Sequence, residues 1–348
     1  MIKSIIYLIF MGLLASCIDR SNIVDLDLLA GIDSYNKQDY DGAISKLSNV
    51  IVNNKSISKA YMIRGHAHAE LSHFDEAIAD YEHVIDLIPN NFEAYFYQGV
   101  AWGQVSNYQK AILSYSSAIQ LNPQYIDAIV NRGWMYISLS EYSMAKKDFQ
   151  PVINAFPENK HAVSGMAKLH NMHNEFSSAL LLYNNAIKLT PHNSALYYLR
   201  AKQYILMKKH DNVLSDFKQV FQINPKLIDA YITRGNYLAD TGDKLSAVDD
   251  YTTVLKLDPK NITAYNNRAF TYFELEEFHR ALNDYNQAID IGISDQARFS
   301  ELHYERSKVL ILLEQYSDAL IDAKVAVEIN PSNQEYKDWY LKINSTVN

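Results

Sequence analysis

Residues 58–91 read SKAYMIRGHAHAELSHFDEAIADYEHVIDLIPNN. Within them Tyr61, Gly65, Ala77, Tyr81, Ile85 and Pro89 set a pattern that returns at a fixed step of 34 residues. The next copy has Tyr95, Gly99, Ala111, Tyr115, Ile119 and Pro123, and the one after it Gly133, Ala145, Phe149, Ile153 and Pro157. Small residues at the eighth and twentieth positions let two antiparallel helices approach closely, and large ones at the fourth, eleventh and twenty-fourth fill the space between them. Proline near the end stops the second helix and sets the turn. Helices of about fourteen residues are marginal alone, so stability has to come from stacking one hairpin on the next.

Working outward, the unit beginning at 24 (24–57) is degenerate, keeping Gly31, Ala43 and Leu47 without the closing proline. Units 58–91, 92–125 and 126–159 follow the pattern most fully, and 160–193 replaces the glycine by Ala167 while keeping Ala179, Tyr183 and Pro191. The unit 194–227 has Ala201, Val213, Phe217 and Pro225; 228–261 and 262–295 restore Tyr231, Gly235, Ala247, Tyr251, then Tyr265, Ala269, Ala281, Tyr285. Four extra residues, Gln296 to Phe299, precede a ninth unit at 300–333 with Ser307, Ala319 and Pro331. The remaining 334–348 places Tyr336, Trp339, Tyr340 and Ile343 at helical spacing, as expected of a helix capping the last apolar face.

Length, pairing and residue pattern resemble the tetratricopeptide repeat (TPR). The resemblance implies an all-α, right-handed TPR solenoid of about nine helix–turn–helix repeats plus a C-terminal capping helix. It also implies a concave groove lined by the first helix of each repeat, and a role in binding proteins.

Residues 1–16 are of another kind: Lys3 precedes an unbroken apolar run from Ile5 to Ala15. That run is shorter than the roughly 20 residues a membrane-spanning helix needs, so a cleaved signal peptide is expected. Its end, Leu14-Ala15-Ser16-Cys17, resembles the lipobox of bacterial lipoproteins. By that resemblance the chain is cut before Cys17, which takes lipid on its thiol and acyl chains such as palmitate on its new amino group. Cys17 is the sole cysteine, so disulfides and cysteine-based metal sites are excluded. Several acyl chains at about 0.8 kcal/mol per buried methylene anchor a protein stably. With Cys17 and a tether to residue 23, reaching about 20 Å if extended, the array is expected close to a membrane. Ile18, not Asp, follows the cysteine, which by resemblance to enterobacterial sorting favours the outer membrane where two exist.

Charge adds a second periodicity. The seventh position is arginine in six repeats, Arg64, Arg132, Arg200, Arg234, Arg268 and Arg306. The twenty-third is aspartate in the same six, Asp80, Asp148, Asp216, Asp250, Asp284 and Asp322. The other three lack both, reading Ala30 with Lys46, Gln98 with Ser114, and Met166 with Leu182. A charged stripe for a ligand is one reading; the other, favoured here, is an ion pair bridging the two helices of each repeat. Common ancestry of the repeats also produces such concordance.

Catalysis finds little in the chain: no Gly-rich phosphate loop, no HExxH, and no segment outside the repeats large enough for a catalytic domain. His66 and His68 are two apart on a helix and cannot share a ligand; His170 and His173 are three apart, with no obvious acidic third ligand. The expectation is therefore a non-enzyme with no cofactor, no metal and no small-molecule substrate. A net charge of -8 carries no basic footprint for nucleic acid. The TPR resemblance places Phe96, Tyr97, Val100, Val130, Asn131, Trp134 and Ile137 on the groove wall. In the C-terminal repeats it places there Asn236, Asp240, Asn266, Asn267, Glu301 and Glu305. Some TPR domains clamp a peptide carboxylate with lysine, arginine and asparagine; Asn236 and Asn267 match two such places, but Glu301 and Glu305 stand where the cations belong. The expected function is a membrane-anchored scaffold holding a protein or peptide in this groove. The alternative is a structural envelope component acting by self-association.

Overall fold

A hairpin of helices needs a small residue where the two backbones cross, and the eighth position supplies it. In the computed structural model, which describes residues 20–292 and 295–347, a Cβ added to Gly65 would lie 2.8 Å from the Tyr81 ring. Added to Gly133, it would lie 2.7 Å from the ring of Phe149. The twentieth position is equally tight: Ala77, Ala111, Ala145 and Ala281 have no exposed surface. The aromatic at position twenty-four is thereby pinned inside its own repeat, with Tyr81, Phe149, Tyr251 and Tyr285 all fully buried.

Helices make up all the regular structure among the described residues. In the unit ending at Leu189, α1 (Arg20–Asn36) pairs with α2 (Tyr40–Asn53), α3 (Ser58–Glu70) with α4 (Phe74–Leu87), and α5 (Phe92–Gln104) with α6 (Tyr108–Leu121). The pairs α7 (Ile126–Ser138) with α8 (Tyr142–Ala155) and α9 (Lys160–Met172) with α10 (Phe176–Leu189) complete it. The unit from Thr190 holds α11 (Ser194–Leu206) with α12 (His210–Ile223) and α13 (Ile228–Asp240) with α14 (Lys244–Leu257). Then come α15 (Ile262–Glu274) with α16 (Phe278–Ile291), α17 (Gln296–Leu312) with α18 (Tyr316–Ile329), and α19 (Gln334–Val347). Within each unit the second helix of a pair packs on the first helix of the next, and successive first helices such as α13, α15 and α17 also touch. Each unit is an all-α stack of helical hairpins, and α19 caps the last of them with Tyr336 and Ile343 buried and Trp339 Nε1 donating to Ser307 Oγ at 2.7 Å.

Two features go beyond the repeat pattern. Helix α1 starts at Arg20, so residues 20–23, expected as extended tether, are helical and advance only about 1.5 Å per residue. The four extra residues before the ninth repeat, to which the pattern assigns no structure, lengthen α17 by a turn, started by Asp295, whose Oδ1 accepts from the Ala297 and Arg298 amides. The signal peptide 1–16 and Cys17 lie outside the described residues.

The turn between the two helices of a repeat is the same everywhere. Its fifteenth residue is left-handed in all nine repeats, yet only Gly242 is glycine; Ser72 (φ 62°), Lys208 (φ 54°) and Glu276 (φ 61°) are among the others. The next amide bonds five residues back, as His73 N–H does to the His68 carbonyl at 2.8 Å, the closing bond of a Schellman motif.

All six Arg–Asp couples are bidentate ion pairs across the hairpin. Arg64 Nε and Nη2 donate to the two Asp80 oxygens at 2.9 and 2.6 Å, and Arg306 does the same to Asp322 at 2.6 and 2.7 Å. The aspartates are at most 6% exposed, so each depends on its arginine for compensation. Several arginines also reach back one repeat: Arg64, Arg132 and Arg268 Nη1 donate to Ser48, Ser116 and Thr252 at 2.8–3.0 Å. Where the charges are missing, the space is filled otherwise. Ser114 donates to Gln98 at 2.8 Å, Lys46 turns to Ser34 at 2.6 Å, and Met166 buries an apolar side chain.

Asp80→Ala is expected to cost about 1–3 kcal/mol in urea denaturation, with most of it recovered in the Arg64→Gln, Asp80→Ser double variant that copies Gln98 and Ser114. A double-mutant coupling near zero would contradict the pairing. At the turns, Lys208→Gly and Glu276→Gly should each stabilise the protein by about 0.5–1 kcal/mol, because glycine adopts the left-handed region without a Cβ penalty; a loss in urea midpoint would contradict this.

Candidate functional site

Because position twenty-four points its ring between the helices, a tyrosine there carries its hydroxyl through to the face made by the first helices. In two repeats position nine meets it. Tyr81 pairs with His66 Nδ1 at 2.9 Å, and the Tyr251 hydroxyl donates to Asn236 Oδ1 at 2.7 Å. These contacts form the floors of two open cavities, one in each unit.

The cavity in the N-terminal unit, about 550 Å³, lies among α1, α3 and α5. Tyr35, His66, Phe74, Tyr81 and Tyr97 give it aromatic walls, with Val100 and Glu70 at its side. The His66 and Tyr97 rings meet edge-on at 4.3 Å, and Tyr97 stacks on Tyr81 at 6.0 Å. Burial pushes the His66 imidazole down to about 4, so the ring is neutral at pH 7.

The cavity in the C-terminal unit, about 590 Å³, runs across α13, α15 and α17. Asp240, Glu274, Glu301 and Glu305 line it, and no Lys, Arg or His does. Asn236 and Asn267 sit between them, joined by an Nδ2–H···Oδ1 bond of 2.8 Å. Tyr251 and Tyr285 form the floor, and burial, reinforced by Glu305 and Glu301, pushes the Tyr285 hydroxyl pKa up.

The groove residues expected from sequence divide accordingly. Tyr97 and Val100 line the first cavity; Asn236 and Asn267 line the second, with Asp240, Asn266, Glu301 and Glu305. Phe96 and Ile137 do not belong to a groove wall: they are 9% and 7% exposed, and Val130 is 3%. Phe96 is enclosed by Tyr97, Tyr115 and Tyr125 of its own repeat at 4.8–5.8 Å. Trp134 is half-buried, edge-on to Phe149 at 6.0 Å and under the Lys168 ammonium at 5.6 Å, and Asn131 is half-buried too. The six Arg–Asp pairs are hairpin bridges and form no ligand stripe.

Sequence reading missed Phe270, Glu274 and the two floor tyrosines; the signal for the last lay in the pairing of positions nine and twenty-four. It also missed an acidic neighbour for His170, whose Nδ1 pairs with Glu175 at 2.5 Å. Among the described residues no group of three or more His, Cys, Asp or Glu could hold a metal ion, and no helix is long and apolar enough to cross a membrane.

Comparison with known proteins agrees with this architecture. Tetratricopeptide-repeat models match residues 28–91 and 64–126, then 228–261 and 262–293. A crystal structure of a tetratricopeptide repeat protein from Parabacteroides merdae is similar at 20% identity, covering 71% of this chain and 98% of that one, with a TM-score of 0.59. The Cut9–Hcn1 hetero-tetramer of the APC/C is similar at 15% identity and a TM-score of 0.51, over 87% of this chain and 59% of that one. No curated protein sequence matches this one. The matched segments are tetratricopeptide repeats, a module that generally serves as a scaffold for protein–protein interaction.

The depressed His66 value fixes the sign of a pH effect. The unfolded chain binds the proton near pH 6.5 and the folded one only near 4, so stability falls as pH drops through that window. Relative to His66→Gln, the wild type is expected to lose up to about 3 kcal/mol between pH 7 and pH 4 in urea midpoints; parallel curves would contradict the burial of a neutral ring.

Proposed function

We propose that this protein is a non-enzymatic scaffold, lipid-anchored through Cys17 at a cell envelope, that holds a protein or peptide partner along the first helices of its repeats. One observation carries the reading. The core uses up positions eight, twenty and twenty-four, while the side chains left over on the first helices gather into two open cavities in place of a packed surface. An aromatic pocket of about 550 Å³ has the size to take an apolar side chain, and large aromatics dominate binding energy at interfaces. The anchor is supported by the sequence Leu14-Ala15-Ser16-Cys17, and the outer membrane, facing the periplasm or the surface, by Ile18 after it.

Crosslinking capture from membranes tests this. Tyr97→Ala should reduce recovery of the captured partner by about fivefold or more, while Leu113→Ala, exposed on α6, leaves it unchanged. Equal recovery from both variants, or a chain that crosslinks only to copies of itself, would overturn the reading.

A further inference from the structure

Positions nine and twenty-four are joined by a hydrogen bond at His66–Tyr81 and Asn236–Tyr251 but, as with Val100 and Tyr115, not in the repeat 262–295. Its twenty-fourth residue is Tyr285, 1% exposed, but its ninth is Phe270, which has no acceptor to offer. Among the described residues the Tyr285 hydroxyl makes no hydrogen bond, and it stands on the floor of the acidic cavity, facing Glu301 and Glu305. The ring is buried while the hydroxyl opens on the cavity, so its hydrogen bonding is completed from solution.

The carboxylates above the hydroxyl show what completes it. Glu305 is held by Lys308 at 2.8 Å and Glu274 by Lys244 at 3.5 Å. Asp240 on α13 and Glu301 on α17 have no cationic partner among the described residues, and they flank the cavity from helices on either side of α15. Phe270, 45% exposed, presents an aromatic face at the same opening. Oxygen acceptors converging from several helices suit a compact ammonium, which accepts neighbours from all directions, better than the planar fork of a guanidinium, which suits one carboxylate edge-on. An exposed ring beside them packs a methylene stem and adds cation–π attraction.

We infer that this cavity is a lysine-binding site: it receives the side-chain ammonium of a lysine on the partner polypeptide, which Asp240 and Glu301 neutralise and to which the Tyr285 hydroxyl oxygen turns its lone pair. The inference rests on the scaffold reading above and names the chemistry its C-terminal cavity selects.

The test is titration of the purified full chain with penta-lysine peptide, followed by calorimetry at low and high salt. Asp240→Asn with Glu301→Gln should weaken binding about tenfold or more, and Tyr285→Phe severalfold with an unchanged thermal midpoint, because that hydroxyl bonds nothing in the protein itself. The exposed acidic pair on α4, changed as Asp75→Asn with Glu76→Gln, should have no effect. Equal losses from both pairs would reduce the interaction to general charge attraction and overturn the site. So would a Tyr285→Phe variant that loses stability but not affinity. Penta-arginine binding as tightly as penta-lysine would overturn the choice of lysine, and spermidine binding as tightly would replace the polypeptide by a small polyamine. Since only this chain and a peptide are present, failure here leaves membrane capture through the aromatic cavity standing, and failure of capture leaves this titration standing.

Discussion

One contact recurs through the molecule and governs the rest: a large ring at position twenty-four set against a residue with little or no side chain at position eight. Gly65 under Tyr81, Gly133 under Phe149 and Gly235 under Tyr251 are each too close to accept a Cβ without movement. The contact sets how closely the two helices of a hairpin approach. That spacing is short enough for arginine at position seven to reach aspartate at position twenty-three with both nitrogens. It also fixes the direction of the ring, and therefore where a tyrosine hydroxyl surfaces.

Core and recognition face are thus two ends of the same side chain. In the repeats with His66 or Asn236, the hydroxyl is satisfied from within, and the cavity above it is closed at its floor by a protein–protein hydrogen bond. With Phe270 in place of an acceptor at position nine, the hydroxyl of a core tyrosine opens on the cavity. The two cavities consequently differ in chemistry, aromatic in one unit and anionic in the other, on one repeated framework.

Much of this was legible in the sequence because the repeat states each requirement nine times. Gly, Ala or Ser at position eight and Ala, once Val, at position twenty showed the close crossing, and the joint presence or absence of arginine and aspartate showed the bridge before any distance was known. Other features leave no such trace. The left-handed turn residue is Ser72, Asn174, Lys208 or Glu276, identities that share only their backbone angle. Phe96 and Ile137 occupy positions expected on a groove wall but are buried, Phe96 among the rings of Tyr97, Tyr115 and Tyr125, and such packing depends on three-dimensional neighbours. Residues 20–23 and 296–299 show no repeat pattern, and both simply prolong a helix that follows.

The most direct measurement of the central contact is amide hydrogen exchange on Gly235→Leu. A side chain at that position must displace the Tyr251 ring, whose Cε1 would lie 2.7 Å from the new Cβ. The account predicts that protection falls across α13 and α14 and along the neighbouring α15, while the repeats of the N-terminal unit keep theirs. Wild-type protection throughout α13 and α14 would contradict it, since the hairpin would then stand without the contact assigned to hold it.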